Sequence, residues 1–78
     1  LINEGEINME RKYIESRMIR SIGYDPNTST LEIEFNSGAV WQYFNFPESI
    51  WYDFKNSESK GKYFHKEIKN QYPESQVS

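Results

Sequence analysis

A chain of 78 residues leaves room for one domain only, and at this length just ~60% of the unfolded chain's surface is buried on folding. With no cysteine and a single histidine, a disulfide staple, a thiolate metal site and a zinc site of several imidazoles are excluded. A net charge of −3 argues against nonspecific attraction of nucleic acid by the whole chain. Packing must come from the aromatics, 17% of the residues, each able to bury ~150–250 Å². No apolar run approaches the ~18 residues of a membrane span and there is no signal-peptide core. The expectation is a soluble cytoplasmic domain without membrane, metal or cofactor. The charges are unevenly spread. Residues 1–54 carry nine acids against four bases, and residues 55–72 carry five lysines against two glutamates.

In chain order, residues 1–15 read as a mobile extension, with a short helical lead-in over residues 10–16. Residues 18–23, MIRSIG, alternate as a strand does. Tyr24, Asp25, Pro26 and Asn27 form a turn signal, with Asn27 able to take the left-handed conformation. Leu31, Ile33 and Phe35 alternate with Glu32 and Glu34, which predicts a strand with its acids facing water. Asn36, Ser37 and Gly38 make a tight turn into a third strand over residues 39–44. Pro47 ends the sheet and opens a helix whose apolar face holds Ile50, Trp51 and Phe54. Ser57 or Ser59 caps a second helix that runs to about Tyr72, where Pro73 stops it. Phe64, Ile68 and Tyr72, four residues apart, should pack on the sheet, and residues 74–78 should fray. The predicted fold is α+β: a three-stranded antiparallel β-meander followed by two α-helices packed on one face.

The third strand carries Trp41, Tyr43 and Phe44 with both of its faces apolar. Either Trp41 and Tyr43 or Val40 and Phe44 lie under the helices. The register that decides between them cannot be read from the sequence, and burial of Trp41 and Tyr43 is the favoured outcome. If exposed, the pair would stack on bases. Surplus aromatics on a small core also predict an apolar patch and a homo-oligomer.

The ordered set of Ser21-Ile22-Gly23-Tyr24-Asp25, Leu31 to Phe35, Gly38, Trp41-Gln42-Tyr43, Phe46-Pro47 and Ser59-Lys60-Gly61-Lys62-Tyr63-Phe64 resembles the KTSC domain. That small module is named after the C-terminal region of some lysyl-tRNA synthetases and also occurs alone in bacteria and phages. The resemblance covers residues 16–73, taken as the domain. Trp41 stands where the family centre is usually Tyr, and His65 where many members have Asn. The resemblance implies RNA binding by association and no established activity.

The candidate ligand site is the start of the second helix. Ser59, Lys60, Gly61 and Lys62 offer charges, free N–H groups and an unobstructed approach, with Lys66 and His65 beyond and Trp41 or Tyr43 alongside. A solvated lysine face is the plainer reading of the same charges. No spacing around His65, Ser57, Ser59 and Asp53 supports a catalytic triad. The function expected is a non-catalytic module that binds RNA of a tRNA-like kind. The alternative is a phage or bacterial accessory protein that captures a nucleotide-type small molecule or a host protein, as a homo-oligomer.

Overall fold

The computed structural model describes residues 11–13 and 16–78. The expected extension over residues 1–15 lies outside the described residues apart from Arg11–Tyr13, and Glu10, Ile14 and Glu15 of the expected helical lead-in lie outside them too. Arg11–Tyr13 is a strand, β1. It is followed by β2 (Ile19–Asp25), β3 (Thr30–Phe35), β4 (Val40–Tyr43), helix α1 (Glu48–Lys55), a one-turn helix α2 (Lys60–Tyr63) that widens into a π-helical stretch (Phe64–Ile68), and β5 (Glu74–Gln76). The α+β class and the two helices hold. The sheet is larger than the three strands expected: five strands in the order β1-β2-β3-β4-β5, every pair antiparallel.

The central meander follows from local chemistry. Asp25 accepts the Asn27 N–H at 2.9 Å and the Thr28 hydroxyl at 3.1 Å, which folds the first turn. The left-handed residue there is Ser29, φ 55°, and not Asn27. The second turn closes with Gly38 N–H on the Phe35 carbonyl at 2.9 Å, with Gly38 at φ 100°, a backbone that glycine adopts freely. Ile22 pairs with Ile33 and Ile33 with Trp41; Tyr24 pairs with Leu31 and Leu31 with Tyr43. These residues therefore share the face under the helices. A register shift between Ile19 and Ser21 brings Ile19 opposite Phe35 on that same face, as an extra residue in a bulge does.

Against this face stand Phe46, Phe54, Phe64 and Ile68, and the shared core is closed to solvent. Tyr24 donates its hydroxyl to the Phe46 carbonyl and stacks on Trp51 at 5.6 Å. Asn45, φ 57°, turns the chain out of β4, and Phe46 N–H binds the Ser29 carbonyl at 2.9 Å. Tyr72, expected inside the second helix, lies in the turn after it yet still packs on Phe46 at 4.7 Å.

Residues 74–78, expected to fray, pair with β4 instead. Tyr43 stands opposite Glu74 and Trp41 opposite Gln76, and Val40 exchanges backbone bonds with Val77 and Ser78. Without that strand, β4 would present a row of unpaired backbone groups. Among the described residues, the exposed large hydrophobics are Tyr52 and Val77, so most aromatic surface is spent on the core. No helix of the described residues is long and apolar enough to cross a membrane.

Phe46→Ala, which empties a fully buried ring position, should cost ~3–5 kcal/mol in urea unfolding. Tyr52→Ala removes an exposed ring under the Lys55 ammonium and should cost under ~1 kcal/mol.

Candidate functional site

An open groove of about 750 Å³ runs beside α2 and the π-helical stretch. Gly61, Lys62, His65 and Lys66 supply one wall; at positions i, i+1, i+4 and i+5 they fall on one side of a helix. The other wall is the turn over residues 16–18 that leads into β2. The Ser16 hydroxyl oxygen fixes this turn by accepting the N–H groups of Met18 and Ile19, both at 3.2 Å. Asn36 ties it down from the other side, donating its side-chain amide to the Ser16 carbonyl at 2.9 Å. Glu58, Ser59 and Lys60 close one end.

Six of the eight residues expected at the site meet here: Ser59, Lys60, Gly61, Lys62, His65 and Lys66. Their roles differ from expectation. Lys60 bends back, its ammonium donating to the Ser57 carbonyl at 2.6 Å, so it anchors the loop between the helices. Ser59 is the cap of α2, its hydroxyl accepting the Lys62 N–H at 3.3 Å. The long second helix expected to Tyr72 is one α turn and five π residues. Its dipole is correspondingly short, and side-chain charge carries more of the site than the helix end does. A Cβ on Gly61 would lie 3.5 Å from the Met18 methyl and 4.0 Å from the Ser16 hydroxyl, so the missing side chain widens the groove floor.

Ser16, Arg17, Met18 and Glu58 also line the groove and were missed. Residues 16–18 lie over forty positions from Lys62 in the chain, and no local pattern connects them. Arg17, Lys60, Lys62 and Lys66 against the lone Glu58 make the groove basic on a protein of net charge −3. Among the described residues, no group of three or more His, Asp or Glu side chains gathers as a metal site would require.

Trp41 and Tyr43 are not part of the groove. They lie on the helix-covered face, Tyr43 only 2% exposed and Trp41 half-buried. With Phe35 and Phe64 they line a separate cavity of about 170 Å³, edged by Lys69, Asn70 and Glu74. Burial, and then the Glu74 carboxylate, push the Tyr43 phenol well above its ordinary 10.0. Burial first, followed by Asp53, Glu67 and Tyr72, raises Tyr63 as well. The acids Glu32 and Glu34 occupy the opposite face of the sheet. They are only 16% and 17% exposed, with Arg11 at 3.3 Å from Glu32 and Arg20 at 3.8 Å from Glu34.

A family model, KTSC domain, matches residues 15–72. A lysine–tRNA ligase of Nostoc sp. (strain PCC 7120 / SAG 25.82 / UTEX 2576) is 42% identical over 64 residues, which is 82% of this chain and 11% of the ligase. The chain thus spans about a ninth of the length of such relatives. A protein of Stutzerimonas stutzeri (strain A1501) is 36% identical over 82% of this chain and 90% of its own length. The crystal structure of a KTSC domain protein from Yersinia pestis superposes with a TM-score of 0.87 at 36% identity, covering 90% of this chain and 99% of that one.

Two outcomes test the site's physics. Gly61→Ala should keep the fold and raise the melting temperature, since alanine gains up to ~1 kcal/mol over glycine in a helix and its Cβ meets only ordinary contact. In alkaline titration, stability should be intact below pH 10 and fall as pH rises beyond it, because the unfolded chain ionises its tyrosines there while the folded chain keeps Tyr43 protonated. Tyr43→Phe should flatten that fall, read by circular dichroism against pH.

Proposed function

The chain belongs to the KTSC domain family, and from that premise we propose that it is a small, non-catalytic module that binds RNA through the basic groove beside α2. The observation that carries this is the convergence of Arg17, Lys62 and Lys66 on one open groove, drawn from segments far apart in sequence. Lysine and arginine heads suit backbone phosphates, and phosphate contacts position a nucleic acid without reading its sequence. The acids that would repel a long RNA, Glu32 and Glu34, sit on the other sheet face and are paired with arginines. That a stretch resembling this chain forms part of a ligase named for tRNA supports RNA as the ligand. His65 packs against the Phe64 ring at 5.5 Å, while the Ser57 hydroxyl donates to the Phe54 carbonyl at 2.7 Å and the Ser59 hydroxyl caps Lys62. Neither serine is arranged as a nucleophile on that histidine.

A second reading, capture of a nucleotide-type small molecule, draws on the groove's volume of about 750 Å³, which lies within the ~300–1,000 Å³ of small-molecule sites. Salt separates the two: binding of RNA falls steeply with salt because many counterions are released, and binding of one nucleotide falls mildly.

Lys62→Ala combined with Lys66→Ala should weaken binding of a tRNA or a single-stranded RNA ~10- to 100-fold, the ~1–3 kcal/mol range of charge-assisted hydrogen bonds, with an unchanged melting curve. A double variant that binds every tested RNA and nucleotide like the parent would reduce these lysines to a solvated face.

A further inference from the structure

The cavity between β4 and the end of the π-helical stretch gathers aromatic rings and two opposite charges. Phe35 and Tyr43 both meet Phe64 edge-on, at 5.4 and 5.9 Å. Trp41 takes part in none of the ring contacts among the described residues, so its half-buried indole has no ring stacked on it. Tyr43 is 2% exposed and lines the cavity, yet no hydrogen bond among the described residues engages its hydroxyl. The raised phenol keeps its proton at neutral pH and remains a donor. At the rim stand Lys69 and Glu74. The ion pairs among the described residues are those of Arg11 and Arg20 with Glu32 and Glu34, so neither rim charge is paired with another described residue.

We infer that this cavity admits a single unstacked nucleobase, and that its rim selects guanine. The inference rests on the RNA reading of the groove, from which a strand would deliver the base. Two features favour this occupant. The volume of about 170 Å³ holds one base and no more of a nucleotide. Guanine alone among the common bases sets the O6 and N7 acceptors beside the N1–H and N2–H donors, matching an ammonium and a carboxylate respectively. The Trp41 ring, which meets no other ring among the described residues, supplies the stacking surface that single-stranded recognition uses. Lys69 and Asn70 reach the cavity because Asn70, φ 65°, ends the helix there, and Glu74 because β5 pairs it with Tyr43.

The test is calorimetric and NMR titration with guanosine and adenosine, nucleosides that carry no phosphate for the groove. Guanosine should bind the parent at least tenfold more tightly than adenosine and shift the Trp41 indole resonance. Trp41→Ala should weaken it at least tenfold. Because that variant removes a partly buried ring, Glu74→Gln on the exposed edge strand serves as the second, and it should abolish the preference over adenosine with the fold unchanged. Lys62→Ala with Lys66→Ala should leave guanosine binding untouched. The proposal falls if guanosine is not bound, if Glu74→Gln retains the full preference, or if the cavity answers to free leucine and not to guanosine. Should guanosine fail while the lysine variant still loses RNA, the groove reading stands and the base cavity alone is overturned.

Discussion

The pairing of Ile33 with Trp41 and of Leu31 with Tyr43 determines which half of each central strand is dry. Side chains alternate across a strand, so a slip of one residue would carry every one of them to the other face. Glu32, Glu34 and Gln42 would then lie under the helices, and Trp41 and Tyr43 would face outward. The observed register avoids that, and the bulge between Ile19 and Ser21 extends it to β2 by keeping both Ile19 and Ile22 inward. The helices contribute Phe54, Phe64 and Ile68 to the same layer. The groove beside α2 and the cavity at Trp41 and Tyr43 both border on this packing, which gives them walls that do not depend on a ligand.

The same register divides the charge. Glu32 and Glu34 face away from the helices, where Ser21 donates to Glu34 and Gln42 to Glu32, both at 2.9 Å, and β1 brings Arg11 between them. Ion pairs of this kind contribute little to stability. Their effect is on the field: negative charge is held and partly neutralised on one side, and the lysines of the second helix are left to dominate the other. A net charge of −3 conceals a basic groove.

The second helix shows how backbone geometry places chemistry. Lys69 N–H reaches the Phe64 carbonyl at 2.8 Å, the i to i+5 bond of a π turn. The wider turn keeps Phe64 and Ile68 in the core while His65 and Lys66 remain on the groove. The left-handed Asn70 then ends the helix, and Tyr72 reaches Phe46 from the following turn. A regular α-helix to Tyr72 would have carried Lys69 and Asn70 along its own axis instead of to the rim of the aromatic cavity.

Much was legible from residues in order. The alternation of Leu31, Ile33 and Phe35 with glutamates, the turn chemistry of Asp25 and Gly38, and the Ile50–Phe54 spacing are local signals, and each produced its element. The basic cluster from Ser59 to Lys66 was likewise visible, because residues that share one helical face are close in sequence. The edge strands were not visible. Arg11–Tyr13 and Glu74–Gln76 are polar and short, and they are strands only because β2 and β4 offer unpaired backbone beside them. Nor was the far wall of the groove visible, since Ser16 and Met18 meet Gly61 only once β2 has paired and the second helix has docked. The side chosen for Trp41 and Tyr43 was decided in the same way, because register is a contact between strands and periodicity within one strand fits either face.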